Sequence, residues 1–266
     1  MILFLASAIT TYFTLPFIYS LLKGANILRK NYKGDSIPVG MGIALIPVLI
    51  LNSTIILSYK DRSSEIVLVF LLGNLTMAFI GIIDDLIGNR DTLGIKGHMG
   101  ALARGRLTTG GLKAVMGIMI ALFISILLST NVVDLLVNLL IIALMTNLIN
   151  LLDLRPGRGI KAFFTISIIF LIIGLTKESE ELLFIMLGYL IIYFPKDLKG
   201  KYMMGDVGSN TLGVNLGIIA AISFSTFTKV IIVSILIFIH LFAERYSITD
   251  VIKKIKILNF IDELGR

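Results

Sequence analysis

Nine apolar runs separated by short polar connections constrain this chain more than any other feature. They lie at about residues 2–22, 39–58, 66–83, 112–129, 132–152, 162–175, 181–194, 208–226 and 229–243. A run approaching about 20 apolar residues has the length of a helix that crosses hydrocarbon, where every backbone polar group must pair inside its own segment. The expected fold is therefore an all-α polytopic membrane helix bundle with about nine transmembrane helices. The sixth, seventh and ninth runs are short, which calls for tilt, local bilayer thinning or an interfacial position. With 56% of its 266 residues apolar and no Trp, the composition agrees. Cysteine is absent, which excludes a disulfide framework, thiolate metal ligation and nucleophilic cysteine chemistry. The first run has neither a basic segment before it nor a small-residue cleavage site after it, so it reads as a retained span rather than a signal peptide.

The net charge of +7 does not point to nucleic acid, because the basic residues are scattered among the short connections. If the chain starts outside, 20 of its 24 Lys and Arg residues fall in inner connections, and only Lys60, Arg62, Lys177 and Lys229 in outer ones. That bias orients the N-terminus outside and the C-terminus in the cytoplasm of a cell membrane. Residues 1–247 read as one transmembrane domain. The tail, 248–266, alternates Ile, Leu and Val with Lys253, Lys254 and Lys256, as a basic amphipathic helix lying on anionic lipid does.

Four polar intrusions interrupt the apolar runs, and this orientation puts all four on the cytoplasmic side. The first is Asp84-Asp85, ending the third run. An ionised carboxylate in hydrocarbon is costly, so the pair either faces a cavity and a cation or sits at the water boundary and opens the next loop. The second is Asn147, Asn150 and Asp153, whose spacing of three keeps them within about 120° of one helical face, either as interhelical glue or as a polar site. Arg155, Arg158 and Lys161 follow at a Pro-Gly turn able to hold an anion. The third is Gly205-Asp206 with Ser209, either a plain N-cap or a helix start that brings carboxylate and backbone to a phosphate and its metal. The fourth is His240 with Arg245, either complementing a helix dipole or contacting phosphate. Between residues 86 and 111 a long Gly-rich connection carries Arg104 and Arg106, which suit phosphate oxygens or serve topology alone. Carboxylates, cations and Gly-rich turns at one bilayer boundary suit Mg²⁺, phosphates and a second substrate dissolved in lipid.

At these residues the chain resembles the polyprenyl-phosphate N-acetylhexosamine-1-phosphate transferase superfamily, which includes phospho-N-acetylmuramoyl-pentapeptide transferase and the UDP-N-acetylglucosamine:undecaprenyl-phosphate enzymes. The resemblance runs through Lys33 to Gly42, similar to the family's Pro-Thr-x-Gly-Gly loop, then Gly81 to Asp85, then Asn147, Asn150 and Asp153. It is most specific at Met204-Gly205-Asp206-Val207-Gly208-Ser209, where the family has Met-Gly-Asp-x-Gly-Ser. It implies a Mg²⁺-dependent enzyme, with Mn²⁺ as an alternative ion, that moves a HexNAc-1-phosphate from a UDP-sugar to undecaprenyl or another polyprenyl phosphate and releases UMP for cell-envelope polymers. By the same resemblance Asp84, Asp85, Asp206 and His240 are catalytic, with Asp206 and Asp85 at the metal. Lys33, Asn147, Asn150, Asp153, Arg155, Arg158, Gly205, Ser209, Arg104, Arg106 and Arg245 bind substrate. The expected partners are UDP-sugar, polyprenyl phosphate and the lipid bilayer, and a homodimer is compatible.

The chain departs from the family pattern in several places. Pro156 stands where the second acid of Asp-Gly-x-Asp-Gly is expected, and His240 has no neighbouring histidine to make a triple-His or His-x-His-x-Arg cluster. A tenth span usual in the muramoyl-pentapeptide branch is missing from the expected set. Three alternatives therefore stay open: the muramoyl-pentapeptide reaction itself, a family member that only binds nucleotide or lipid phosphate, and a transporter-like protein. A transporter would place its polar breaks near the midplane and repeat its halves, and neither is visible here.

Overall fold

The computed structural model describes residues 1–59, 64–88, 97, 100, 101 and 103–265. Of the charges used above to orient the chain, Lys60, Arg62, Arg90, Lys96 and Arg266 lie outside the described residues. Each apolar run is a helix: α1 (Ile2–Gly24), α2 (Leu45–Tyr59), α3 (Ser64–Ile87), α4 (Thr109–Leu128), α5 (Val132–Leu152), α6 (Arg158–Ile173), α7 (Lys177–Leu198), α8 (Gly205–Ser223) and α9 (Thr226–Arg245). Two short helices, α10 (Ile248–Lys254) and α11 (Lys256–Glu263), make up the tail. The protein is nearly all-α, as expected. Among the described residues six helices are long and apolar enough to cross a membrane: α1, α2 with the 3₁₀ turn before it, α3, α4, α5 and α9. The remaining three are short or interrupted by polar side chains: α6 has 16 residues, α7 carries charges at both ends, and α8 is rich in Gly and Asn.

One element has no counterpart in the apolar pattern. Strands β1 (Leu28–Lys30) and β2 (Ser36–Pro38) pair antiparallel, with Leu28 opposite Pro38. The turn between them is held by Asn31, whose Oδ1 accepts the amides of Lys33 and Asp35 at 2.8 and 2.9 Å. The same side chain donates through Nδ2 to the Gly200 carbonyl at 2.9 Å, so the hairpin is tied to the loop before α8.

The core is arranged around α8, which is buried at every position from Val207 to Ala221 and packs chiefly on α5 and α3. A helix surrounded on all sides needs small residues where its neighbours cross. At Gly81 a Cβ would lie 2.4 Å from the Val207 backbone nitrogen, so α3 and α8 meet backbone to backbone just before the Asp84-Asp85 pair. Elsewhere α7 packs on α1, and α9 on the outer side of α5.

The far end of α5 and α9 is joined by a buried ion pair. Lys229 is not a loop residue but lies inside the first turns of α9, 3% exposed, and its ammonium meets the carboxylate of Asp134. Asn138 Oδ1 accepts from the same ammonium at 2.8 Å, and Thr226 donates to Asp134 Oδ1 at 3.2 Å. Removing one partner of a buried pair strands the other charge, whereas removing both leaves apolar surface to pack. Lys229→Met is therefore expected to destabilise the protein by about 3–5 kcal/mol, and Asp134→Leu/Lys229→Met to recover most of that loss, read as midpoints of thermal unfolding in detergent.

Candidate functional site

The site begins with the way α8 starts. A helix leaves its first amide N–H groups without intrahelical partners, and deep in a bundle they must find an acceptor. Asp85, 8% exposed, supplies it: Oδ1 accepts the amide of Asp206 at 3.0 Å and Oδ2 that of Val207 at 3.2 Å. The carboxylate at the end of α3 thus caps α8 from 121 residues away in sequence. Gly205 makes room for this, since its φ is +72° and a Cβ there would lie 2.2 Å from Asp85 Oδ2. Arg29 Nη2 donates to the Asp85 carbonyl at 2.9 Å and fixes the end of α3 to the hairpin.

Beside this cap, side chains from four helices meet on one cation. The Lys113 ammonium, in the first turns of α4, contacts the Asp206 carboxylate directly, Asp84 Oδ2 at 3.4 Å and Asn150 Oδ1 at 3.4 Å. Asn150 donates in turn to Asp206 Oδ1 at 2.9 Å and to Ser209 Oγ at 3.0 Å. Asp84, Lys113 and Asp206 keep 20%, 21% and 26% of their side-chain surface open, so the cluster is reachable from solvent. The segment after β2 and the loop before α8 also pair: the amides of Met41 and Gly42 donate to the carbonyls of Met203 and Met204, and the Met203 amide donates to the Pro38 carbonyl.

A cavity of about 770 Å³ opens next to the cluster. Its lining carries both signs of charge, Asp85, Asp153, Asp197, Asp206 and Glu263 together with Arg29, Lys30 and Arg155, with the rings of Tyr32 and Tyr202 among them. Asp153 caps the end of α5, and burial, helped by the nearby carboxylates of Asp197, Asp206 and Asp85, pushes its carboxyl well above the usual range. Asp197 accepts the Gly157 amide at 2.7 Å and so holds the Pro-Gly turn. A smaller cavity of about 420 Å³ adjoins, lined by Lys33, Lys196, Lys199 and Lys201.

The structure thus brings together Asp84, Asp85, Asn150, Asp153, Arg155, Gly205, Asp206 and Ser209, with Lys33 in the adjoining cavity. Other expected residues are elsewhere. Arg158 is not available to a substrate anion: its guanidinium is 5% exposed and forked onto Asp262, at 2.7 and 2.9 Å. Asn147 is exposed on α5, on the edge of the face that carries Asn150. Arg104 and Arg106 are exposed, and neither they nor His240 and Arg245 line either cavity. His240 Nδ1 donates to the Leu236 carbonyl of its own helix at 2.7 Å. Lys113 was not singled out from the sequence. Its signal was a lone cation one turn inside an apolar helix, read there as topology.

A hard divalent cation fits part of this donor set. Mg²⁺ is held by one or two carboxylates, with waters and substrate phosphates completing its octahedron. Asp84 and Asp206, with the Asn150 amide oxygen, already share one cationic group, the Lys113 ammonium. Asp85 fits less well, because each of its oxygens already accepts a backbone amide and the residue is only 8% exposed. Among the described residues no group of three or more His, Cys, Asp or Glu is arranged to hold a metal. No protein-family model matches the chain, and no curated protein matches it.

The two adjacent aspartates should respond differently to neutralisation. Asp85→Asn faces an amide NH₂ toward a backbone N–H and should cost about 1–3 kcal/mol of stability. Asp84→Asn leaves Lys113 paired with Asp206 and should cost less than about 1 kcal/mol. Thermal unfolding in detergent measures both, and equal shifts would contradict the division of roles.

Proposed function

We propose that this protein is a membrane phosphoglycosyltransferase that moves a HexNAc-1-phosphate from a UDP-sugar to a polyprenyl phosphate and releases UMP. The observation that carries the reading is the meeting of Asp84, Asp206 and Asn150 on one cation, at the edge of a cavity whose lining includes Arg29, Lys30 and Arg155. Phosphoryl transfer asks for charge neutralisation and alignment more than for covalent help, and those groups supply both. A polyprenyl phosphate oxygen attacks the β-phosphorus of the UDP-sugar. The bond from that phosphorus to the bridging oxygen breaks, and UMP leaves with the oxygen.

In this reading Asp84 and Asp206 hold Mg²⁺, with Asn150 beside them. When bound, the ion neutralises charge on the phosphate oxygens. Arg29, Lys30 and Arg155 bind the diphosphate, Asp153 meets the nucleotide-sugar, and Tyr32 and Tyr202 offer faces for the uracil ring. Asp85 acts by positioning Asp206 through the first turn of α8. His240, Arg245, Asn147, Arg104, Arg106 and Arg158 have no part in it. The bias of basic residues supports nine crossings with the N-terminus outside and the site at the cytoplasmic face of the cell membrane.

Purified protein in detergent, given undecaprenyl phosphate, Mg²⁺ and a panel of UDP-sugars, should release UMP only when the lipid is present, and mass spectrometry of the lipid product would identify the sugar. Asp206→Asn and Asp84→Asn should each lower turnover about 100-fold or more while the protein stays folded. Lys113→Met should fall short of wild type as well, since the ammonium sits among the same phosphate-facing groups. Full turnover by the folded aspartate variants, or the absence of any lipid product across the panel, would overturn the proposal.

A further inference from the structure

The tail contains an amphipathic element that the proposed reaction does not use. Along α11 and its C-cap, Ile257, Phe260, Ile261 and Leu264 recur at helical spacing and are 72%, 66%, 45% and 56% exposed. The opposite face is the docked one. There Asp262, 4% exposed, receives the Arg158 fork, and Arg158 Nη1 also donates to Thr249 of α10 at 2.9 Å. Lys161 donates to the carbonyls of Ile261, Asp262 and Leu264 at 2.8–2.9 Å, which satisfies the end of α11. A helix on the surface of a soluble protein turns its apolar stripe inward. This one is fastened by its polar side and turns the stripe out.

The geometry points to α10 and α11 as a clamp for an anionic bilayer surface, with the Arg158–Asp262 pair linking the seated helix to the wall of the cavity. Only two residues, Tyr246 and Ser247, separate α9 from α10, so α10 begins within about 11 Å of the end of a membrane-length helix. Lys253 and Lys254 at the end of α10 and Lys256 at the start of α11 are exposed and directly precede the apolar stripe in the chain, and this pairing of charge with apolar surface fits lipid phosphates over acyl chains. A second copy of the chain would carry the same lysines to the same contact, which disfavours it as the occupant. The connection to the site is short. Arg158 opens α6 directly after the Leu154-Arg155-Pro156 turn, which lines the large cavity, and Glu263, next to Asp262, lines it too. Seating the tail on the leaflet therefore holds that turn in place. The clamp rests on the bilayer position of α9 and not on the identity of the reaction.

Because the chain has no Trp, Phe260→Trp gives the full-length protein a single indole reporter. In vesicles of phosphatidylcholine and phosphatidylglycerol, lipids brominated near the top of the acyl chains should quench its emission at least about twofold. Replacing Lys253, Lys254 and Lys256 by Gln should weaken seating by about 100-fold, seen as lost quenching when anionic lipid is scarce. Unquenched emission at every lipid composition would overturn the clamp, as would quenching that ignores lipid charge but changes with protein dilution, the mark of a second copy. The link to the cavity is read separately by hydrogen exchange. Asp262→Asn and the milder Lys161→Met should both speed exchange at residues 154–158 while α8 stays protected. If Asp262→Asn loosens the whole bundle, Lys161→Met decides, and unchanged exchange at 154–158 in that variant would overturn the link whatever the reaction proves to be.

Discussion

The structure depends on one carboxylate meeting two backbone amides. α8 is enclosed on all sides from Val207 onward, and at its start Asp85 is the acceptor that takes the first two N–H groups and lets the helix begin where it does. Because the acceptor belongs to α3, the start of one helix is set by the end of another, and the glycine at 81 brings their backbones together just before it. Asp206 and Ser209 then project from the first turns of α8 toward α4 and α5 at a depth that is not adjustable. A rigid frame of this kind is what a site working by alignment and electrostatics requires.

The same frame explains how two adjacent acids take different roles. Successive helical residues point about 100° apart, so Asp84 and Asp85 cannot share a task. Asp85 turns toward the α8 backbone and is nearly closed off, while Asp84 turns toward Lys113 and keeps a fifth of its side-chain surface open. The neutral pairing with backbone amides leaves Asp85 structural, and the ionic pairing leaves Asp84 reachable by a ligand.

The helices were legible in the sequence because a helix with apolar surroundings reads as an unbroken apolar run, and each of the nine runs is a helix. The hairpin over 28–38 was not, since it is organised by one asparagine side chain and by a loop 169 residues away rather than by any alternation of its own. Of the candidate site, Asp84, Asn150, Asp153, Gly205, Asp206 and Ser209 were recognisable, being polar interruptions of apolar helices. Lys113 looked like one more orienting charge, and only its three-dimensional neighbours distinguish it. Arg158 was misread for the opposite reason: a Pro-Gly turn with three cations invites an anion, and the anion is in fact Asp262, 104 residues on. The spacing of three that joined Asn147 to Asn150 also spreads them by about 60°, enough to carry Asn147 off the inward face.

Lys113 has a consequence for how such a site can fold at all. Asp84 and Asp206 face each other from different helices, and without a cation their like charges would oppose the packing of α3 against α8. The ammonium of α4 answers that repulsion from within the chain, and Asn150 adds an oxygen on the same cation and a donor to Asp206. The two acids are therefore already paired within the chain, on an ammonium that belongs to a third helix. An ammonium released from the carboxylates would also be left beside the incoming phosphates, where its charge has a new partner at short range.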